Sequence, residues 1–188
     1  MRNRGGLGRN GIPGVIPRAR RSKNSYLAWK RNQIRGCVLN GAGARLLRPR
    51  HGQKSARVVN EHGLDVVIEP INARNVPGYF LNDFGFARDL ITELKIPNLK
   101  LQFDIYHCQI IHGDVTMRLR EMMPITGHVQ IASIPSRNEP DGEELNYPFL
   151  FAELDRLGYG GFVGCEYNPR GKTTDGLDWF KPYAGVKP

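Results

Sequence analysis

The chain has 188 residues, room for one ordinary domain and a tail, and its 40% hydrophobic and 9% aromatic content is enough for a packed core. No apolar run reaches the length of about 18 residues that a membrane-spanning helix needs, so no membrane partner is expected. The net charge of +9 hides a division: residues 1–60 hold 15 Lys and Arg and no acid, whereas the rest hold 12 Lys and Arg against all 18 acids.

Residues 1–56 form a basic segment rich in Arg and Gly, with Pro13 and Pro17 near its start. Two groups of apolar residues, 26–34 and 36–47, show no sustained period of 2 or 3.6. High like charge with little apolar surface argues for disorder here. Three readings of the segment compete. It could be a nucleic-acid arm, with Arg and Lys on phosphates and Tyr26 or Trp29 stacking on bases. It could be a transit peptide, although serine is thin. It could also be a stretch without selected function, from a truncated gene or a shifted frame. Cys37, Cys108 and Cys165 form no CxxC pair, which favours free thiols in a reducing compartment. Residues 1–30 lack the apolar core of a secretory signal, so the expected location is cytoplasmic.

From residue 57 onward the pattern becomes repeated strand-then-helix units. Residues 64–71 are a short β-branched run, and 82–94 follow with helical spacing of Phe84, Ala87, Leu90, Ile91 and Leu94. Residues 99–106 read as a strand. Residues 114–122 read as a short helix with Asp114 or Thr116 available as its cap. Residues 127–134 are a third strand, and 147–157 are a helix ended by Gly158. Residues 161–167 are a fourth strand and 173–183 a last helix. Units of about 33 residues and mostly apolar strands argue for an α/β fold, either a doubly wound sheet or a (β/α)8 TIM barrel.

The polar residues choose the barrel. Each strand ends on one acidic or amide residue: Glu69, Asp104, Gln130 and Glu166. At the carboxyl ends of barrel strands such residues converge on one mouth, where the chemistry sits. A lone buried carboxylate is costly to desolvate, and a shared cation removes that cost. Oxygen ligands suit Mg²⁺ or Mn²⁺, the expected cofactor. A single residue of this kind is as well explained by a helix cap or a solvated strand end; four at equivalent positions favour the metal. His107, three residues past Asp104, can reach the mouth and suits substrate contact. His128 shares a strand face with Gln130, and a role in the site competes evenly with that of a hydrogen-bonded core histidine. His62 and His112 read as loop residues without a role.

Five stretches carry a family resemblance: Val-Val-Ile-Glu-Pro-Ile-Asn72, Gln-Phe-Asp-Ile-Tyr-His-Cys-Gln109, Gly-His-Val-Gln-Ile-Ala132, Glu-Leu-Asn-Tyr-Pro148 and Gly-Cys-Glu-Tyr-Asn-Pro-Arg-Gly171. Together they resemble the hydroxypyruvate isomerase family and its relatives, the 2-oxo-tetronate isomerases, within the xylose-isomerase-like barrels. The resemblance implies that residues 57–188 form the last four βα units of such a barrel. It implies that Glu69 and Glu166 bind the metal and act as the proton donor and acceptor, with Asp104 and Gln130 as the other ligands. It implies that His107 and Arg137 contact substrate; Asn146, Tyr147 and Arg170 lie in matched motifs without an assigned role.

The implied reaction interconverts hydroxypyruvate and tartronate semialdehyde through a metal-stabilised enediolate, so the expected partner is a small sugar acid. The alternatives are a 2-oxo-tetronate isomerase or sugar epimerase, a nucleic-acid-binding protein using the basic segment, and a non-functional fragment. Nucleic acid ranks below the sugar acid as a partner. The first four strands of the barrel find no match in residues 1–56. The sheet is therefore expected to have two bare edges, and pairing of two copies is a further arrangement to weigh.

Overall fold

A computed structural model describes residues 15–16, 36–39 and 64–184 of the chain. Six strands form one sheet: β1 (Val15–Ile16), β2 (Gly36–Leu39), β3 (Asp65–Ile68), β4 (Leu99–Asp104), β5 (Thr126–Ile131) and β6 (Val163–Cys165). Their spatial order is β1-β6-β5-β4-β3-β2. Strands β2 to β6 run parallel, and β1 joins antiparallel to β6. Among the described residues four α-helices lie between β3 and β6: α1 (Phe84–Leu94), α2 (Ile105–Ile111), α3 (Val115–Met122) and α4 (Tyr147–Arg156). This is a run of βα units as a TIM barrel lays them down.

The core lies between sheet and helices. Val66, Ile68, Leu99, Leu101, Phe103, Val129, Ile131 and Val163 present one face of the strands to Phe84, Ala87, Ile91, Leu119, Leu150 and Leu154 of the helices. Every second strand residue is apolar because only one face meets helices; the residues between them face the inside of the curved sheet. Asp83 caps α1, its carboxylate accepting from the Phe86 N–H at 2.6 Å. Lys95 ends α1 in the left-handed region, φ 49°. Gly158, at φ 74°, takes the turn after α4 that a side chain would strain.

Four expectations change. The run 99–106 is a strand only to Asp104, because Asp104 caps a new helix: its Oδ1 accepts from the Tyr106 N–H at 2.8 Å. Asp114 does sit at the N-cap of α3, but in the left-handed region and with no side-chain capping bond. The last helix is a 3₁₀ helix over Leu177–Tyr183 with Pro182 inside it, whose ring removes a backbone donor. The outer edges of β3 and β6 are paired, with β2 and β1, so that among the described residues the two open edges of the sheet pass to β2 and β1. Unpaired N–H and C=O groups on an edge are a template for any nearby extended chain. The remainder of the expectation for residues 1–56 falls outside the described residues. No helix among the described residues is long and apolar enough to cross a membrane.

Candidate metal centre and substrate mouth

The carboxyl ends of β3 to β6 place the predicted residues together. Glu69 follows β3, Asp104 ends β4, Gln130 lies in β5 and Glu166 follows β6. In register, Asp104 stands beside Gln130, and Gln130 beside Gly164. Ligand atoms of Glu69, Asp104, His107 and Glu166 all lie within 4.8 Å of one another. Glu69, Asp104 and His107 are buried, whereas the Glu166 side chain is 54% exposed.

The charges in this cluster are only partly compensated: Arg137 is paired with Glu166, and Glu69 and Asp104 remain crowded. Burial, and next the negative charges of Asp104 and Glu166, push the Glu69 carboxyl from 4.5 up to about 8. Burial and Glu166 push Asp104 from 3.8 up to about 7. Glu69 Oε1 is buried and has no hydrogen-bond partner. Three crowded carboxylates with an orphaned oxygen form a donor set of the kind a divalent cation satisfies, so the residues fit the metal that the motifs imply. Asp104 divides its work: Oδ1 holds the start of α2, which leaves Oδ2 for the mouth.

His107 sits in the first turn of α2, fully enclosed, with Nε2 3.9 Å from Glu69 Oε1 and 3.8 Å from Asp104 Oδ2. Burial, reinforced by the Arg137 charge, lowers its pKa to about 3, so the ring is neutral. Arg137 stands in the loop after β5 at φ 58°. Its Nη2 donates to Glu166 Oε2 at 2.7 Å, and its guanidinium lies 4.8 Å from the centre of the Tyr106 ring. Arg137, expected from the family resemblance to contact substrate, has a carboxylate of the cluster as its partner here. Gln130 is held by another amide: Gln102 Nε2 donates to Gln130 Oε1 at 2.5 Å. His128 is paired in register with Gln102 and packs against Gly164, where a Cβ would come 2.8 Å from its Nε2. A glycine at 164 thus leaves room for both His128 and Gln130.

Several residues of the site were not singled out in advance. Gln102, buried two places before Asp104, shares its strand face, and period-2 counting back from Asp104 would have found it. Asn72 is 1% exposed and bonds His107, a contact over 35 residues of sequence that no local pattern reveals. Glu139 is buried against the Arg170 backbone N–H, at 3.1 Å, and Arg170 makes a two-pronged pair with Asp141 at 2.7 and 2.9 Å. Those contacts tie the loop after β5 to the loop after β6, the two that carry Arg137 and Glu166. Of the unassigned motif residues, Asn146 caps α4 and the Tyr147 hydroxyl donates to the Ala132 carbonyl at 2.6 Å. His112, expected to have no role, accepts from the Phe84 N–H at 3.3 Å at the start of α1. His62 lies outside the described residues.

The chain is 52% identical over 131 residues to a 2-oxo-tetronate isomerase of Cupriavidus necator, covering 70% of this chain and 50% of that protein. It is 40% identical over 129 residues to a hydroxypyruvate isomerase of Escherichia coli K12, covering 69% and 50%. The chain thus spans about half the length of the curated relatives it matches. A crystal structure described as an AP endonuclease, family 2, from Brucella melitensis superposes with a TM-score of 0.73 at 43% identity, covering 79% of this chain and 61% of that one. A 3-keto-D-glucoside 4-epimerase from E. coli superposes with a TM-score of 0.61 at 26% identity, covering 69% and 50%. The model of the xylose isomerase-like TIM barrel family matches residues 51–183, and the chain belongs to that family.

Proposed function

We propose that the chain carries the metal site and proton-transfer pair of a sugar-acid isomerase, one that moves a carbonyl between adjacent carbons of a short 2-oxo acid. The observation that carries this reading is the meeting of Glu69, Asp104 and Glu166 within 4.8 Å, with a buried Glu69 oxygen left unpaired. Glu69, Asp104, Gln130 and Glu166 would hold Mg²⁺ or Mn²⁺, with the Gln130 oxygen released from Gln102. A cation there supplies the positive charge that stabilises negative charge building on two substrate oxygens.

For the three-carbon pair, hydroxypyruvate and tartronate semialdehyde, a proton leaves C3 and a proton is returned to C2, while the hydroxyl proton passes from the C3 oxygen to the C2 oxygen. Glu69 and Glu166 come from non-adjacent strands and would flank the substrate, one taking the proton and the other returning it. Arg137 bridges Glu166 and the Tyr106 ring, and this positive charge beside the cluster supports a role in docking a substrate carboxylate. The 52% identity to a 2-oxo-tetronate isomerase favours a second reading of the substrate, a four-carbon acid handled by the same residues.

Isomerisation of three-, four- and six-carbon 2-oxo acids by the intact chain, with Mn²⁺ present, tests the reading and ranks the substrates. Glu166→Gln is expected to lower turnover by about 100-fold or more, as loss of a positioned acid–base group does. A melting temperature unmoved by Mn²⁺ would remove the metal centre from the reading.

A further inference from the structure

His107 presents one ring nitrogen to the mouth, and the other is engaged on the far side of the ring. The Asn75 backbone N–H donates to Asn72 Oδ1 at 2.9 Å. That bond turns the amide oxygen toward the 72–75 turn and the NH₂ toward His107. Asn72 Nδ2 then lies 2.6 Å from His107 Nδ1, and the Asn72 backbone N–H points at the same nitrogen at 3.3 Å. A nitrogen facing two N–H donors is an acceptor and carries no proton. With Nδ1 bare, the ring carries its one proton on Nε2, the nitrogen that faces Glu69 and Asp104.

We propose that Asn72 is a positioning residue that fixes His107 in its Nε2–H tautomer, so that the imidazole is a neutral hydrogen-bond donor to a substrate oxygen and not a ligand of the cation. The donor role rests on the isomerase reading; the tautomer does not. The arrangement is braced twice. Asn72, 1% exposed, has no solvent to turn toward. Asn75, which orients it, accepts from the Tyr106 hydroxyl at 2.9 Å, and Tyr106 directly precedes His107 in α2. The turn after β3 and the start of α2 are thereby locked together at two points. A metal ligand needs the lone pair of a bare nitrogen, and Nε2–H has none to give. His107 lies among the carboxylates without competing for the cation, which leaves the fourth ligand position to the Gln130 oxygen. A neutral N–H can polarise a substrate oxygen while remaining too weak an acid to surrender its proton.

Long-range ¹H–¹⁵N spectra of the intact chain, labelled at histidine, read the protonation of each ring nitrogen. The His107 signals are assigned by their loss in His107→Gln. Wild-type protein should show Nδ1 in the unprotonated range and Nε2 in the protonated range. In Asn72→Asp the carboxylate can only accept, so the Nδ1 signal should move to the protonated range while the dispersed amide spectrum persists. A wild-type Nδ1 that carries the proton overturns the proposal, whether or not Asn72→Asp folds. So does a folded Asn72→Asp with unchanged ring signals. A Mn²⁺ melting shift measured on the same wild-type sample separates the two readings. If Mn²⁺ does not bind but Nε2 is protonated, the isomerase reading fails, and of this proposal the tautomer stands while the donor role falls. If Mn²⁺ binds but Nδ1 is protonated, only this proposal fails.

Discussion

Strand β4 has two faces built to opposite ends. Leu99, Leu101 and Phe103 are buried against helices, and the Phe103 ring lies 5.1 Å from that of Phe84. Gln102 and Asp104 are buried to the same degree on the other face, among carboxyl and amide groups that are short of partners. The first face releases free energy by leaving water; the second spends it to keep charge and dipoles dry. Burial alone therefore does not identify a core residue here. The chemistry of its neighbours does.

Paired substitutions on this one strand break the comparison most sharply. Phe103→Ala is expected to lower stability by about 3–5 kcal/mol, the usual cost of an aromatic cavity. Asp104→Asn removes a crowded charge, so the cation-free protein should melt higher than wild type and lose its response to Mn²⁺. Thermal melts of both variants, with chelator and with Mn²⁺, check this. A destabilised Asp104→Asn in chelator would mean that the helix cap outweighs the crowding.

The same contrast predicts a dependence on pH. Glu69 and Asp104 have folded-state pKa values raised to about 8 and about 7, from 4.5 and 3.8. The folded chain therefore holds protons that the unfolded chain has released. Stability must fall as pH rises from the ordinary carboxylate range to about 8, and it is regained below that range. Between pH 6 and pH 8 the loss should be about 2–4 kcal/mol. Urea unfolding at pH 6 and pH 8 in chelator measures it. Saturating Mn²⁺ should flatten the profile, because a bound cation replaces the protons. A flat profile in chelator would sink the picture of crowded carboxylates.

The helix-facing side was the more legible in sequence. The spacing of Phe84, Ala87 and Ile91 fixes which side of α1 meets the sheet, and all three are buried. Glu69, Asp104, Gln130 and Glu166 were legible because each interrupts an apolar run at the same point of its unit. Leu99 through Tyr106 read as one strand, and only the capping bond of Asp104 reveals that α2 begins inside it. Asn72 and Glu139 were not legible, since their partners lie 35 and 31 residues away and only folding brings them together. Arg137 was singled out through the family resemblance alone, and nothing in that resemblance says that it pairs with Glu166 across 29 residues.

Two aspartates at helix starts show the smallest form of the same lesson, that position does not equal contribution. Asp83 and Asp114 both precede a helix, and both are residue types that cap well. Asp83 has extended backbone and its carboxylate takes the Phe86 N–H. Asp114 sits at φ 49° and takes none. Asp83→Ala should therefore cost about 1 kcal/mol, the worth of one capping bond. Asp114→Gly loses no bond and relieves a left-handed backbone, against which stands the greater freedom of glycine in the unfolded chain. Its net effect should stay within about 0.5 kcal/mol of wild type. Denaturant midpoints of the two variants decide the matter, and equal losses would show that Asp114 contributes to α3 through its charge near the helix start and not through a bond.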